Sequence, residues 1–368
     1  MVALSCTTDT TQDLGVDLGN NGALTEITLS LEESRTQLGE KAGDLYPLYW
    51  SEGDQISING VASTALSANE AGSAVATFSV TGELKAPYCI AYPAANAGEV
   101  VFAAQQSYVE GTFANGASTM YGYSENGLGV QLNHLTGVLK IGVVGEAKLA
   151  MAQISTVDRK PIAGAFDFDF EKGEATASAA SKELIEYSFG EGVQLSSEPT
   201  YIHAVVPAGE YGELYVTLYD AEGGVMYATV KADENKPLAA GKGRKFNSAI
   251  PYAATESVFV VRDAASLKAF AEQASTLEKN ALFVADVDMS GEAWTPIEGY
   301  ANTILGNGYA IKGLTAPLFN TVAASIKGLH LEDVNIVSNG VMQMGALACT
   351  LTAKEGFAPK VENCSVSG

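Results

Sequence analysis

The hydrophobic residues in the first third of the chain recur at every second position, which is the period of a β-strand. In residues 25–32 the apolar side chains of Ile27, Leu29 and Leu31 alternate with polar ones, so one face is predicted to be buried. Turn-forming residues separate this strand from others predicted at 55–58, 74–80, 88–92 and 138–144. Several short strands without a long helical period predict a β-sandwich over residues 22–150.

The same alternation predicts a second β-sandwich over residues 151–255. Its clearest element is a hairpin, in which two alternating strands flank the turn 220–224. The phenylalanines of residues 166–170 alternate with aspartates and predict a half-buried strand. The small polar residues 175–181 are predicted to form a loop.

The last third of the chain contains a repeated tetrad. The tetrad at 311–314, which reads Ile-Lys-Gly-Leu, returns at 326–329 and then, in altered form, at 361–364. Short apolar–polar units with Gly or Asn at their corners are typical of a β-solenoid, whose successive turns of chain stack as rungs. We therefore predict the start of a β-solenoid over residues 256–368. A further rung is expected after Gly368, so the chain is predicted to be the front part of a longer protein.

A helical period occurs directly before these repeats. Leu267, Phe270, Ala271 and Ala274 follow one another at helical spacing, and Asp263 is placed to cap the first turn. Because a solenoid leaves unpaired strand edges at its mouth, we predict that this helix covers the first rung as an N-terminal cap. The predicted fold class is therefore all-β, with two sandwiches, one capping helix and the beginning of a solenoid.

Composition and charge narrow the classes of partner. Hydrophobic residues make up 47% of the chain and charged residues 17%, which is enough apolar material for packed cores. The formal net charge of −22 gives a surface that repels phosphate, so nucleic acid is not a predicted partner.

The N-terminus carries a possible membrane signal. Small and apolar residues precede Cys6, and a polar stretch follows it, as at the end of a bacterial lipoprotein signal. On this interpretation Cys6 is acylated, residues 1–21 form a tether, and the lipid holds the protein to the outer membrane. The alternative is that Cys6 is an ordinary thiol in a tail.

Residues suited to catalysis are scarce. His134, His203 and His330 lie far apart in apolar strand surroundings, so each is interpreted as a structural imidazole rather than a general base. The sequence has no nucleophile elbow, phosphate-binding loop or His-rich zinc pattern. We predict no enzymatic activity, no catalytic residues, no cofactor and no metal.

Several weaker candidates remain open at this point. Asp286 and Asp288 alternate on one face and could share a calcium ion, although solvated or turn-capping carboxylates are favoured. Trp294 could stack on a sugar ring, but it and Trp50 are more typical of a core. A disulfide between Cys349 and Cys364 is conceivable, whereas separate buried thiols are favoured.

Four segments, taken in order, resemble the fimbrillins of Bacteroidales-type (type V) pili. They are residues 48–58 (LYWSEGDQISI), 91–93 (AYP), 132–141 (LNHLTGVLKI) and 204–209 (AVVPAG). The resemblance covers about residues 22–255 and implies a lipoprotein precursor with two tandem transthyretin-like β-sandwiches.

The resemblance also implies a mechanism of assembly. In such pilins an outer protease cuts after an arginine near the end of the first strand, and a neighbouring subunit inserts a donor strand into the groove that opens. Arg35 is the only arginine before Arg159, and it lies just beyond the strand that carries Ile27, Leu29 and Leu31. Arg35 is therefore the predicted processing site and that strand the displaced one; the alternative is a solvated arginine in a loop.

The tail is similar to the GLUG-type β-solenoid repeats of bacterial surface adhesins. The matching segments are residues 286–289 (DVDM), 294–297 (WTPI), 306–309 (GNGY) and 362–368 (ENCSVSG). A shaft-forming pilin ends after its second sandwich, so this tail favours a fimbrial tip, an accessory subunit or a free-standing surface adhesin. The implied partners are other pilus subunits or ligands on host or bacterial surfaces. The alternatives are a carbohydrate-binding surface lipoprotein and, less favoured, a solenoid polysaccharide lyase.

Overall fold

A computed structural model describes residues 24–31, 49–82, 84–127, 129–158, 160–232, 236–253, 258–337, 344–353 and 358–368. These residues form 32 strands and one α-helix, so the predicted all-β class is confirmed. Cys6 and Arg35 both lie outside the described residues.

The first ten strands share the short length that the sequence indicated. In chain order, β1 to β10 are Leu24–Leu31, Ser57–Ile58, Val61–Ala62, Val75–Thr81, Tyr88–Tyr92, Glu99–Phe102, Gln105–Val109, Thr112–Phe113, Met120–Ser124 and Gly129–His134. Strands β11 to β20 are Thr136–Val144, Lys148–Thr156, Ala163–Asp169, Glu174–Lys182, Leu184–Gln194, Thr200–Pro207, Glu213–Asp220, Val225–Lys231, Gly243–Lys245 and Ile250–Pro251.

The remaining elements belong to the last third of the chain. Strand β21 is Val258–Val261, and the helix α1 that follows it is Ala264–Gln273. Strands β22 to β32 are Asn280–Phe283, Val287–Asp288, Ile297–Tyr300, Ile304–Leu305, Ala310–Lys312, Phe319–Val322, Ile326–Lys327, His330–Glu332, Ala348–Leu351, Val361–Glu362 and Ser365–Val366.

The chain divides into two compact units. The first comprises the residues up to Ile154, Pro161–Glu213 and Val230–Tyr252. The second comprises Ser155–Lys160, Leu214–Thr229 and Ala253–Gly368. The hairpin of β17 and β18, with its turn at the predicted place, thus groups mainly with the region in which the solenoid was predicted.

A seven-stranded sheet in the first unit has the order β3-β2-β5-β9-β10-β1-β4. Its inward side chains form one core, because alternate residues of each strand point to the same face. The largest members of this core are Trp50, Phe78 and Tyr92, and the two phenyl rings contact the indole edge-to-face. Such aromatic pairs add directional contacts to the apolar burial.

The other sheets of the first unit combine strands from both sides of residue 150. Strand β6 pairs with β13, β7 pairs with β15, and β11 pairs with β16 along eight residues. The predicted division at residue 150 is therefore not a break in strand pairing. The limits of the two predicted sandwiches and their transthyretin-like topology stay predictions.

The loop predicted at residues 175–181 is wrong, because these residues lie in strand β14. Strand β14 pairs with β13 and forms the edge of the sheet β14-β13-β6. Its alanine and serine side chains are mostly exposed, so its sequence lacks the alternation of a half-buried strand. Because both faces of this edge strand are largely exposed, its sequence needs no alternating apolar residues, and this accounts for a strand that has no hydrophobic signature.

The part of the second unit that comes from the last third of the chain contains three parallel sheets. Their orders are β21-β22-β25-β28-β31, β23-β26-β29-β32 and β24-β27-β30. Each strand pairs in parallel with the equivalent strand one turn of chain later, which is the strand order of a β-solenoid. Ile304, Ile311, Phe319 and Ile326 point inward and are almost completely buried.

The rung register differs from the one that the repeated tetrads indicated. Ile311 lies in β26 and pairs with Leu331, whereas Ile326 lies in β28 and pairs with Ile304, 22 residues before it. The tetrads at 311 and 326 are therefore corners of different sheets and do not stack. The altered copy does stack, because Val361 pairs with Ile326.

Both tetrad glycines occupy corners of the chain. Gly313 has φ +72° and Gly328 has φ +57°, a region that suits glycine because it has no Cβ. In the next rung Asn363 takes the same backbone conformation with φ +53°, which asparagine tolerates better than most residues. The predicted role of glycine and asparagine as corner residues is confirmed.

Helix α1 begins at the predicted cap. The Asp263 carboxylate accepts a 2.7 Å hydrogen bond from the backbone N–H of Ser266, and Ser266 Oγ in turn donates to the Asp263 carbonyl. Leu267 and Phe270 are buried, and the Phe270 ring contacts that of Tyr300 edge-to-face at 4.9 Å. Since Tyr300 ends β24, the first strand of its sheet, α1 lies against the first rung.

Candidate functional site: the first strand in its sheet

Strand β1 lies inside the seven-stranded sheet rather than at its edge. It pairs in parallel with β10 and antiparallel with β4. Residues 28–30 therefore have a paired strand on each side, which satisfies their backbone N–H and C=O groups. Removal of β1 would expose two unpaired strand edges at once.

The buried face of β1 is the one that the sequence predicted. Ile27 and Leu29 are fully buried and Leu31 is 8% exposed. These three side chains belong to the same core as Trp50 and Phe78. Because Ile27 pairs with Phe78 on β4, loss of the strand would uncover the centre of this core.

Threonines of β1 make hydrogen bonds on both faces of the strand: Thr28 lies on the outward face, and Thr25 lies on the face of Ile27. The hydroxyls of Thr28 and Thr77 share a 3.0 Å hydrogen bond across the strand pair. Thr25 Oγ1 donates a 2.9 Å hydrogen bond to the carbonyl of Gly82. These contacts are partly or fully exposed, so they fix the register of β1 with little energy of their own.

The buried carboxylate of Asp54, in the segment that follows β1, hydrogen-bonds to a residue of the same core. The hydroxyl of Tyr92 donates a 2.8 Å hydrogen bond to Asp54 Oδ1, and the backbone N–H of Ser51 donates one of 2.7 Å to Oδ2. Burial raises the pKa of Asp54, and the two hydrogen bonds partly oppose this effect. Asp54 therefore ties the turn after Trp50 to strand β5.

The structure brings together only some of the predicted site residues. Ile27, Leu29 and Leu31 share one face of one strand. Arg35 follows four residues after the end of β1, and Cys6 precedes the described residues altogether. The roles of these two residues therefore stay predictions.

The three histidines are separate and buried. His134 lies in β10, His203 in β16 and His330 in β29, each less than one-tenth exposed. His134 Nδ1 is 3.3 Å from Ser118 Oγ, and His330 Nδ1 is 2.7 Å from Ser365 Oγ. This arrangement is that of structural imidazoles inside sheets, and it agrees with the interpretation from the sequence.

The candidate calcium carboxylates have protein partners. Asp286 Oδ1 accepts a hydrogen bond from the backbone N–H of Ala310, and its Oδ2 is 3.3 Å from Lys312 Nζ. Hydrogen bonds from Ser290 lower the pKa of Asp288. Over the part of the chain that the structure describes, no group of three His, Cys, Asp or Glu side chains is arranged to hold a metal ion.

The tryptophans and cysteines behave largely as the sequence suggested. Trp50 is a core residue, whereas Trp294 is half-buried and its indole N–H donates a 3.0 Å hydrogen bond to the Pro317 carbonyl. Cys349 and Cys364 are separate, half-buried thiols and do not form a disulfide. Burial raises the pKa of the Cys364 thiol.

One group of candidate residues was not recognised from the sequence. A surface pocket of about 430 Å³ in the first unit is lined by Lys236, Lys242, Arg244 and Lys245. The segment 236–245 contains four of the 21 basic residues of the chain and none of its 43 acidic residues. A local count of charge along the sequence would have revealed it.

Comparison with known families gives one match. Residues 285–368 match the family described as the M26 IgA1-specific metallo-endopeptidase N-terminal region. The matched residues are those of β23 to β32, less than half of the chain. No curated protein sequence matches the chain.

Three solved structures share distant similarity with the chain. The tip fimbrial protein Mfa3 from Porphyromonas gingivalis has 9% identity and a TM-score of 0.25, over 56% of this chain and 82% of its own. A fimbrial assembly protein from Parabacteroides distasonis has 10% identity and a TM-score of 0.21, over 56% and 99%. A presumed cell adhesion protein from Bacteroides eggerthii has 12% identity and a TM-score of 0.24, over 58% and 81%. TM-scores of this size do not define a shared fold.

The length and hydropathy of a helix decide whether it can span a membrane. Among the described residues, no helix has both the length and the apolar character that crossing a bilayer requires.

Proposed function

We propose that this chain is a fimbrillin-like adhesin of the cell surface, acting as a fimbrial tip or accessory subunit and assembled by donor-strand exchange. The observation that carries the proposal is the position of β1. It is an interior strand with a buried apolar face, and the only arginine before Arg159 follows four residues after its end.

The energetics of β1 suit an exchangeable strand. Burying each of Ile27, Leu29 and Leu31 stabilises the core by roughly 1.5–3 kcal/mol. A groove that lost β1 would therefore be strongly unfavourable when empty. A strand from a neighbouring subunit with the same alternation would restore both the apolar burial and the backbone hydrogen bonds.

Cleavage after Arg35 is the proposed trigger. While the chain is continuous, β1 stays covalently tethered beside its groove. Its high effective concentration there excludes a donor strand from another molecule. After cleavage β1 is no longer covalently attached, so a strand that leaves the groove can diffuse away. A donor strand that is present in excess can then replace it.

The test combines proteolysis with a competing peptide. The folded protein is treated with an arginine-specific protease, and the new N-terminus is expected at Thr36. A labelled peptide of residues 22–35 is then added in excess, and its incorporation is followed by size exclusion. The Arg35→Gln variant should resist this cleavage and should not incorporate the peptide.

Two matched peptides show whether the apolar face drives exchange. A peptide with Leu29→Glu places a charge in the buried groove and should not incorporate. A peptide with Thr28→Glu has the same change of charge on the outward face and should incorporate almost as well as the parent. Absence of cleavage at Arg35, or equal incorporation of both altered peptides, would overturn the donor-strand proposal.

The membrane attachment is proposed to occur through acylated Cys6. Several acyl chains on one cysteine contribute about 0.8 kcal/mol per buried CH₂, which is sufficient for stable anchoring. Expression in a bacterial host with an alkyne-labelled fatty acid should label the wild type and not the Cys6→Ser variant. Labelling of neither protein would leave Cys6 an ordinary thiol and reject the anchor.

A further inference from the structure

The surface pocket of the first unit has a charge opposite to that of the whole chain. The formal net charge is −22, yet the pocket is lined by Lys236, Lys242, Arg244 and Lys245. In the described residues, neither Lys242 nor Lys245 forms an ion pair, and both side chains are exposed. Positive charge that no described residue neutralises favours a local potential attractive to an anion.

The basic residues are held close together by strand pairing. Strand β19 pairs in parallel with β11, which sets Lys245 beside Lys140. The ammonium groups of Lys140 and Lys245 lie 4.2 Å and 5.0 Å from the centroid of the same Tyr201 ring. The Tyr201 ring attracts both ammonium groups and offsets part of their mutual repulsion, so two positive charges are held side by side.

Arg244 is fixed at the rim of the same pocket. One of its guanidinium nitrogens donates a hydrogen bond to the carbonyl of Lys236, which closes the loop 236–244. A guanidinium carries five N–H donors in a planar fork, so further donors remain for a carboxylate or a sulfate. The pocket thus combines one oriented guanidinium with the exposed ammonium groups of the lysines.

The remaining lining is mostly apolar, with one polar amide from Asn247. The exposed Pro237 and Ala239 contribute hydrocarbon surface, and Gly243 in strand β19 adds no side chain. A sugar ring has an apolar face and hydroxyl groups, and an acidic sugar adds an anionic group. This combination matches the lining, and a volume of about 430 Å³ lies within the usual range of small-ligand sites.

We infer that this pocket binds the carboxylate or sulfate groups of an acidic saccharide. A peptide is disfavoured because β19 is only three residues long and offers few backbone groups for an added strand. Long nucleic acid and anionic membranes are disfavoured because the rest of the chain would repel them. The inference is independent of donor-strand assembly, since no residue of β1 lines the pocket.

The test measures saccharide binding by the full chain. Oligogalacturonate supplies carboxylates, a short sulfated dextran oligosaccharide supplies sulfates, and the unsulfated dextran oligosaccharide is the neutral control. Binding of either acidic saccharide is expected to weaken as sodium chloride rises, because exposed charges are screened. Polyglutamate is included as an acidic polymer without sugar rings.

Two double variants with the same change in net charge distinguish the pocket from the whole surface. The Lys242→Glu/Lys245→Glu variant reverses two charges in the pocket and should weaken binding about tenfold or more. The Lys182→Glu/Lys279→Glu variant reverses two exposed lysines outside the pocket and should change the affinity less than threefold. Circular dichroism establishes that both variants are folded.

Each outcome of the saccharide-binding test either supports or overturns the inference. Loss of saccharide binding in the pocket variant alone supports the inference. Equal loss in both variants, absence of binding to either acidic saccharide, or polyglutamate binding as tight as that of the saccharides would overturn it. The last result would indicate an acidic peptide as the ligand.

Discussion

The side-chain amide of Asn307 donates a 2.6 Å hydrogen bond to the hydroxyl of Thr217, a residue 90 positions earlier in the chain. Asn307 is a corner of the solenoid with φ +53°, and Thr217 lies in the hairpin strand β17. Both residues are buried. This contact joins the hairpin and the solenoid rungs within the second unit.

Asn307→Ala should destabilise the second unit locally by about 2–5 kcal/mol. Alanine at positive φ costs roughly 1–2 kcal/mol, and an unsatisfied buried hydroxyl on Thr217 costs about 1–3 kcal/mol. Hydrogen exchange of the peptides 214–229 and 304–312 would report the local opening free energy. Asn307→Gly removes the same hydrogen bond without backbone strain, so it should cost less. If both variants leave exchange in 214–229 unchanged, the hydrogen bond does not stabilise the hairpin.

The close approach of two rungs at Gly313 can be tested with a matched pair of glycines. A Cβ at Gly313 would lie 2.5 Å from Ser290 Oγ and 2.9 Å from the Ser290 backbone, whereas a Cβ at Gly291 would meet nothing within 4 Å. The two glycines have similar φ values of +72° and +77°. Gly291→Ala should therefore cost only the conformational penalty of about 1–2 kcal/mol.

Gly313→Ala should cost more than Gly291→Ala because the rungs must also separate. We expect a difference of about 1–3 kcal/mol, the usual range for overpacking. Urea unfolding followed through Trp294, in a comparison of the two variants, measures it. Equal midpoints would show that the rungs are not in close contact at this corner.

The rung register predicts which engineered cysteines will form a disulfide. Leu305 and Lys327 are paired residues of adjacent parallel strands, and such strands are about 4.8 Å apart, within the range for a disulfide. In a background without the native cysteines, Leu305→Cys/Lys327→Cys should oxidise readily. Lys312→Cys/Lys327→Cys, which the tetrad repeat would align, should not. Oxidation is read from the loss of free thiol, and cross-linking of the second pair alone would contradict the register.

The buried carboxylate of Asp54 predicts a pH dependence of stability. Burial raises its folded-state pKa above the ordinary value of 3.8, so the folded state favours the protonated acid. The contribution of Asp54 to stability should therefore fall as the pH rises from 3.8 through the folded-state pKa. Thermal unfolding midpoints across this window measure the effect.

Asp54→Asn serves as the control for that titration, because asparagine does not ionise. Asp263 and Asp288 have lowered pKa values and act in the opposite direction, so the relevant quantity is the difference between wild type and variant. The wild type should lose stability relative to Asp54→Asn as the pH rises. A difference that is constant with pH would show that Asp54 titrates normally.

Local features of the fold could be predicted from the sequence because few residues determine them. The alternation of Ile27, Leu29 and Leu31 identified the buried face of β1, since a strand places every second side chain on one side. Asp263 identified the start of α1, because the cap bonds lie within one turn. The corner glycines Gly313 and Gly328 were recognisable for the same reason.

What only the tertiary structure decided involves residues that are distant along the chain. The two tetrads share a local corner geometry, but strand stacking decides the register, and this pairs Ile326 with Ile304 instead of Ile311. The basic pocket gains Lys140 as a neighbour of Lys245 only because β19 pairs with β11. Local patterns predict the conformation of a segment, whereas long-range pairing depends on which apolar surfaces are buried together, and no short stretch of sequence contains that information.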